Sequence, residues 1–139
     1  MQPQDVRTVI APATPQHPRQ TEASIAALED GRLLLAWTDF YDADWRDWGP
    51  ARIMARWSND QGESWSDAFV LQENIGRINV MEASLIALRS GRILLAFMRK
   101  DNQGCGDCRD GILHVMAKRS DDAGVTWTSP QDVTSGDAY

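Results

Sequence analysis

The sequence predicts an all-β protein in which a four-stranded antiparallel sheet occurs twice. Three observations support this prediction: an eight-residue turn motif that is written twice, a repeat of about 60 residues around it, and short apolar runs bounded by glycine-containing turns. The 139 residues are 42% hydrophobic, which is ordinary for a folded domain and argues against disorder. We therefore expect two similar units, one after the other along the chain.

Residues 1–20 are predicted to form a leader with one outer strand and a proline-rich linker. Val6–Ile10 has the composition of a strand, and Pro12, Pro15 and Pro18 then break regular structure. The leader lacks the apolar core of a signal peptide, and no run in the sequence is long enough for a membrane helix. We expect a soluble chain, and its location in the cell is left open.

The first unit covers residues 21–75 and is predicted to contain four strands. A hairpin dipeptide, Asp30-Gly31, separates the first two, and the second is apolar on both faces, which indicates that it is covered on both sides. Mixed polar and apolar residues indicate a more exposed third strand. The predicted strands are Ser24–Leu28, Arg32–Trp37, Ala51–Trp57 and Ala68–Leu71.

The second unit covers residues 76–139 and repeats this plan. The tripeptide Glu22-Ala23-Ser24 recurs as Glu82-Ala83-Ser84, 60 positions later. The hairpin dipeptide becomes Ser90-Gly91. The predicted strands are Ser84–Leu88, Arg92–Phe97, Ile112–Arg119 and a weaker fourth over Gln131–Thr134.

A turn motif joins the third and fourth strands of each unit. Ser58–Trp65 and Ser120–Trp127 both read Ser-x-Asp-x-Gly-x-Ser/Thr-Trp. The aspartate can accept hydrogen bonds from amides downstream, glycine supplies a positive φ, and tryptophan is expected to plug the turn from beneath. The residues with these structural roles are Ser58, Asp60, Gly62 and Trp65 in the first copy and Ser120, Asp122, Gly124 and Trp127 in the second.

This motif resembles the Asp-box of the BNR-repeat, sialidase-like (neuraminidase-type) family, whose members are six-bladed β-propellers. The resemblance implies that each unit is one propeller blade of four antiparallel strands. Two blades would leave apolar sheet faces uncovered. We therefore expect either a homotrimer, in which three chains close a six-bladed ring, or a fragment of a longer propeller.

Charge and cysteine content limit the possible partners. A net charge of −6 argues against nucleic acid and anionic membranes. The resemblance implies a glycan or small polar sugar as the ligand. The two cysteines, Cys105 and Cys108, are compatible with free thiols, a loop disulfide or, with His114, part of a metal site. Because four-ligand spacing is absent, we expect no metal, and no cofactor is implied.

The resemblance also implies where catalytic residues would lie. Sialidases of this family use an arginine triad, a Tyr–Glu nucleophile pair and an aspartate as acid/base. The family's first triad arginine would align with Thr21–Ala23, which contains no arginine, and Arg19 lies two positions before Thr21. Neither Tyr41 nor Tyr139 matches the nucleophile. The loop after the second strand offers three candidate acids without selecting one. The weak catalytic candidates are Asp42, Asp44, Asp47 and Glu82.

Two groups of residues are candidates for binding a ligand. Trp45 and Trp48 either stack on sugar rings or pack against a blade edge or another subunit. Glu22 and Glu82 enter the two first strands near the expected axis, where they either contact a ligand or hold backbone amides. Arg99 with Glu82 is the preferred binding pair.

Asp39 holds the position that matches Arg99 in the first unit. The two histidines, His17 and His114, are expected to be structural or exposed.

The sequence therefore favours a sialidase-like propeller module that binds glycans. One alternative is a part of an active exo-sialidase or other glycoside hydrolase, and whether the chain is an enzyme stays open. A further alternative is a self-assembling structural unit without catalysis.

Overall fold

The computed structural model describes residues 7–101 and 111–134, and they form two four-stranded antiparallel sheets with strand orders β1-β2-β3-β4 and β5-β6-β7-β8. This arrangement confirms the predicted all-β class. The described residues contain no helix of the length and apolarity needed to cross a membrane. The strands are β1 Arg19–Ala27, β2 Leu33–Phe40, β3 Ala51–Ser58, β4 Phe69–Gln72, β5 Asn79–Ala87, β6 Ile93–Asp101, β7 Ile112–Ser120 and β8 Gln131–Asp132.

The first strand of each sheet begins five residues earlier than the sequence indicated, at Arg19 and Asn79. A β-bulge interrupts each strand, between Thr21 and Ser24 in β1 and at the equivalent place in β5. The bulge breaks the alternation of side chains, which is why the strand pattern was visible only beyond it. Both strands therefore continue past the bulge to the end of the sheet.

The leader does not contain the predicted strand in its described part, because residues 7–10 are not paired with any other strand. A fourth strand must bond to the edge of a third strand, and β3 and β7 already pair with β4 and β8. Residues 7–10 therefore form no strand within this chain, and the outer strand over Val6–Ile10 stays a prediction. Residues 7–18 instead approach the first sheet as an irregular segment.

The two sheets pack face to face and share one hydrophobic core. Leu34 and Ile53 of the first sheet and Leu95 and Ile93 of the second are fully buried in this core. The opposite face of each sheet is covered less completely: Leu35 and Leu94, which alternate with the core residues, are only half-buried. Each sheet thus has one face in the core and one outer face with apolar residues.

The two tryptophan-containing turns have the hydrogen bonds that the motif predicts. The Asp60 carboxylate accepts bonds from the Ser64 amide at 2.8 Å and from the Ser58 hydroxyl at 2.9 Å, and the Trp65 indole N–H donates to the Gly62 carbonyl at 3.1 Å. Asp122 is bonded in the same way in the second copy, and its hydrogen bonds, led by the Thr126 hydroxyl, lower its pKa to about 2. These turns fix the ends of two hairpins.

The second turn also contacts the first sheet. Gly124 has a φ of +88°, and a Cβ at this position would lie 2.5 Å from Cζ2 of Trp57. Gly62 has a similar φ of +95°, but the nearest atoms to its Cβ would be 3.7 Å away. The glycine in the second turn is therefore required by both its backbone conformation and a close contact between the sheets.

This difference can be tested with a pair of alanine variants. Gly62→Ala should lower the free energy of unfolding by about 1–2 kcal/mol, the cost of a left-handed conformation for an alanine. Gly124→Ala should lower it by about 1–3 kcal/mol more, because Trp57 must move. Urea unfolding monitored by tryptophan fluorescence measures both values. Equal losses in the two variants would contradict the packing of this turn on Trp57.

A lysine lies in the interface between the sheets. Lys118 is 8% exposed, and its Nζ donates to the Leu71 carbonyl on β4. The Nζ also lies 5.4 Å from the centre of the Trp127 ring. Burial lowers the pKa of Lys118 from 10.5 to about 8.

The lowered pKa predicts how stability depends on pH. Between pH 8 and 10.5 the unfolded chain binds more protons at Lys118 than the folded chain does, so this residue makes stability rise with pH in that window. Lys118→Met should remove this rise, whereas Lys100→Met, outside the core, should keep it. Urea midpoints between pH 7 and 10 test the difference. Parallel pH profiles for the wild type and Lys118→Met would rule the effect out.

Candidate functional site

Among the described residues, the most exposed aromatic side chains lie on the loop between β2 and β3, residues 41–50 (loop 41–50). Trp45 is 66% exposed and Trp48 is 50% exposed. A hydrogen bond from the Tyr41 amide to the Pro50 carbonyl, at 3.1 Å, closes the base of the loop. The indoles thus lie at the end of the first sheet where β1 begins.

Both sheets hold this loop in place. The buried Asn79 side chain of β5 donates through Nδ2 to the carbonyls of Asp47, at 3.0 Å, and Gly49, at 2.8 Å. Arg19 of β1 donates to the Asp47 carboxylate at 2.5 Å, and Lys100 of β6 donates to the Asp47 carbonyl at 3.3 Å. The exposed indoles therefore sit on a fixed support.

The three aspartates of the loop have different surroundings. Two bonds from the Arg46 side chain, with a further bond from its amide, lower the pKa of Asp44 to about 2. Asp47 is paired with Arg19. Asp42 is exposed and, within the described residues, its carboxylate makes no hydrogen bond. A general acid must hold a proton near neutral pH, so the low pKa argues against Asp44 in that role.

The two glutamates of the first strands occupy equivalent bulges, with φ values of 54° at Glu22 and 61° at Glu82. Oε2 of Glu22 accepts bonds from the Thr38 hydroxyl at 2.8 Å and from the Glu82 amide at 3.0 Å, and Oε1 lies 3.3 Å from Arg19. The Glu82 carboxylate is exposed and has no such partner in the described part of the chain. Glu22 therefore holds the backbone of the neighbouring bulge.

Arg99 and Glu82, the preferred binding pair, make no direct contact within the described residues, and their role in binding a ligand stays a prediction. Nε of Arg99 donates to Asp101 at 2.8 Å, and no hydrogen bond or ion pair links Arg99 to Glu82. Asp101 lies two residues further along β6, on the same face of the strand, so it is the nearer carboxylate. Arg19 is likewise engaged by carboxylates, those of Asp47 and Glu22.

The Asp39 carboxylate is the centre of a hydrogen-bond network that the sequence did not indicate. This carboxylate is 3% exposed, and it bonds to Nδ1 of His17 at 2.8 Å, to the Gln20 amide at 2.6 Å and to Nε of Arg52 at 3.1 Å. Gln20 in turn accepts a bond from the Trp37 indole. An aspartate at the end of an otherwise apolar strand was the available signal. The network attaches the leader to the first sheet.

His114 lies on β7, and its Nδ1 is 2.6 Å from the Asp132 carboxylate on β8. Within residues 7–101 and 111–134, no cluster of histidine, cysteine, aspartate and glutamate could hold a metal ion. Cys105 and Cys108 lie outside the described residues.

The fold is that of sialidase-like β-propellers. A search of solved structures finds a Hadza microbial sialidase (TM-score 0.71, 17% identity, 86% of this chain and 27% of that one) and a protein of unknown function from Dyadobacter fermentans (TM-score 0.69, 17% identity, 84% and 36%). A family 117 glycoside hydrolase from the marine bacterium Zobellia galactanivorans matches with a TM-score of 0.60 at 18% identity, over 78% of this chain and 37% of that one.

Another neighbour, a sialidase from Trypanosoma rangeli in complex with sialic acid, has a TM-score of 0.60 at 14% identity, over 83% of this chain and 20% of its own. The chain thus spans between 20% and 37% of the length of these four proteins. No protein-family model matches the sequence, and no curated protein does. The two sheets are two propeller blades.

The support of loop 41–50 can be tested at Asn79. Asn79→Ala removes both hydrogen bonds to the loop carbonyls, a loss of about 1–3 kcal/mol. Cleavage of the native protein by chymotrypsin after Trp45 or Trp48 should become about tenfold faster, because the loop opens more often. Asn59→Ala, an exposed asparagine outside this loop, is the matched control. Unchanged cleavage in Asn79→Ala would show that the loop is held by other contacts.

Proposed function

We propose that this chain is a glycan-binding module of a sialidase-like propeller. The observation that carries the proposal is the pair of exposed indoles, Trp45 and Trp48, on a loop held by residues of both blades. Exposed aromatic side chains are costly to leave in water and are typical of binding surfaces. A rigid support lowers the entropy lost when a ligand binds.

The loop has the chemistry that sugars require. An indole face stacks on the apolar face of a pyranose ring, and a carboxylate accepts bonds from ring hydroxyls. Trp45 is the better stacking surface, since the Arg46 guanidinium lies 5.6 Å from the centre of the Trp48 ring and covers part of it. The unbonded carboxylate of Asp42 is the proposed hydroxyl acceptor, and its charge favours a neutral sugar.

The structural neighbours support a glycan ligand. Their names include sialidases and a glycoside hydrolase, and these proteins share the fold at 14–18% identity. We propose further that the two tryptophan-containing turns are Asp-boxes of BNR repeats. Two blades in this chain and the six-bladed plan of that family then make a ring of three chains the proposed assembly, and a longer propeller that contains these residues is the alternative.

A part of an exo-sialidase or other glycoside hydrolase is the second proposed function, and the names of the neighbours favour it. The site favours binding over hydrolysis for two reasons. Arg19, the nearest arginine to the first triad position, is paired with Asp47 and Glu22 rather than open to a substrate carboxylate. Asp44, a candidate acid, has a pKa of about 2.

Binding to an array of neutral and sialylated glycans tests the proposal. Trp45→Ala should weaken binding of a retained glycan about tenfold, whereas Val125→Ala, at a site 76% exposed on the second turn, should leave it unchanged. Trp45→Tyr, which keeps a ring for stacking, should retain most of the affinity. No retention of any glycan, or equal binding by the wild type and Trp45→Ala, would overturn the binding site.

A fluorogenic sialoside assay separates the two functions. The binding module should give no turnover. Turnover that Asp42→Asn abolishes would establish the hydrolase instead and identify Asp42 as its acid/base.

A further inference from the structure

The outer face of each blade resembles the inner face of the other blade, which is one side of the interface that joins the two blades. Leu35 on the outer face of the first blade is half-buried, but its equivalent 60 positions later, Leu95, is fully buried between the blades. Leu94 on the outer face of the second blade is half-buried, and its equivalent, Leu34, is fully buried in the same interface. Each outer face therefore repeats the residues of a face that is covered.

The exposed residues of the outer faces also have buried equivalents in the interface. Ile25 on the first outer face is 53% exposed, and its equivalent Leu85 is 9% exposed. Ile86 on the second outer face is also 53% exposed, and its equivalent Ala26 is 4% exposed. The repeat therefore predicts which residues a further blade would cover.

Hydrogen bonds across the existing interface also have equivalents at the open faces. Glu22 accepts from the Glu82 amide at 3.0 Å, and the Ser24 hydroxyl accepts from the Leu85 amide at 2.9 Å. The equivalents of these two acceptors are Glu82 and Ser84. Both lie exposed on the second blade, and neither side chain makes a hydrogen bond within the described residues.

The first outer face carries the equivalent of a donor that bonds across the existing interface. Strand pairing places Arg56 opposite Leu35 as it places Lys118 opposite Leu95, so Arg56 is the equivalent of Lys118, which donates to the Leu71 carbonyl across the interface. Nε of Arg56 is buried and has no hydrogen-bond partner in the described part of the chain. Nη1 of Arg56 donates to the Ser66 carbonyl at 2.8 Å, so the guanidinium is held at the first outer face as the Lys118 ammonium is held at the existing interface.

We propose that the first outer face of one chain binds the second outer face of another copy of this chain, by the same contacts that join the two blades. The inference rests on the assembly given under the proposed function and adds its interface. Glu82 would accept a bond from the amide of Glu22 of the partner subunit, and Arg56 would donate to the carbonyl of Val133 of the partner subunit.

The occupant is a second copy because the chain carries both halves of the interface. The halves are on different faces, so two copies cannot satisfy each other symmetrically; the contact is head-to-tail and leads to a ring or an open chain. A closed ring leaves no apolar face exposed. With two blades per chain and six blades per ring, the ring contains three chains.

Variants that block one face at a time test the arrangement. Ile25→Glu places a charge on the first outer face, and Ile86→Glu places one on the second; both positions are 53% exposed, so neither substitution disturbs the core. The wild type should have a light-scattering mass of three chains of 15.5 kDa. Each variant alone should be a monomer. An equimolar mixture should form a two-chain complex, because one intact face of each kind remains.

Further variants distinguish this interface from other modes of association. Val125→Glu, on the turn, should leave the wild-type mass unchanged. Glu82→Asn, which keeps a residue that tolerates positive φ, should weaken assembly about tenfold through the lost hydrogen bond. Circular dichroism confirms that each variant is folded.

The possible outcomes separate the proposals. A monomeric wild type at all concentrations would overturn the ring and this interface together, while glycan retention would stand. A wild-type oligomer that persists in both Ile25→Glu and Ile86→Glu would overturn the interface alone. A dimer of Ile86→Glu by itself would show a symmetric contact through the first outer face and overturn the head-to-tail arrangement.

Discussion

The burial of apolar sheet faces is the constraint on which the rest of this structure depends. Each blade is a four-stranded sheet whose second strand, β2 or β6, carries apolar residues on both faces. The neighbouring blade covers only one of these two faces. Burial of such area is worth about 25 cal/mol per Å². The existing interface, centred on Leu34 and Leu95, shows how the sequence meets this requirement, and the repeat of about 60 residues supplies the same surfaces again.

The polar residues at the blade ends follow from this packing. Face-to-face sheets bring the first strands together, so that a carboxylate of one blade reaches the backbone of the next, as Glu22 does with the Glu82 amide. The bulges with positive φ turn these residues out of the strand alternation and aim them along the blade boundary. A glutamate at this place is thus explained by its role in joining blades, which the repeat assigns to Glu82 as well.

Loop 41–50, at the end of the first blade, has a fixed backbone and exposed side chains. Its backbone is held by Asn79 and Lys100 of the second blade, while its indoles face solvent. Strands and turns supply stability, and the loop carries two indoles that are half or more exposed to solvent. This division of tasks is usual for rigid scaffolds with functional loops. The outer faces that would join copies of the chain are therefore separate from loop 41–50, which would bind a sugar.

The sequence by itself determined the four strands of each unit except where the first one begins, their antiparallel order and the two turns. These depend on local patterns: alternation, glycine at positive φ, and an aspartate four residues before its amide partner. Only the tertiary structure decided the roles of Glu22, Arg19 and Asp39. Their partners lie up to 60 positions away, and whether a carboxylate meets an arginine, a histidine or an amide depends on where the bulges and sheet faces place it. The pairing of Arg99 with Asp101 instead of Glu82 has the same cause.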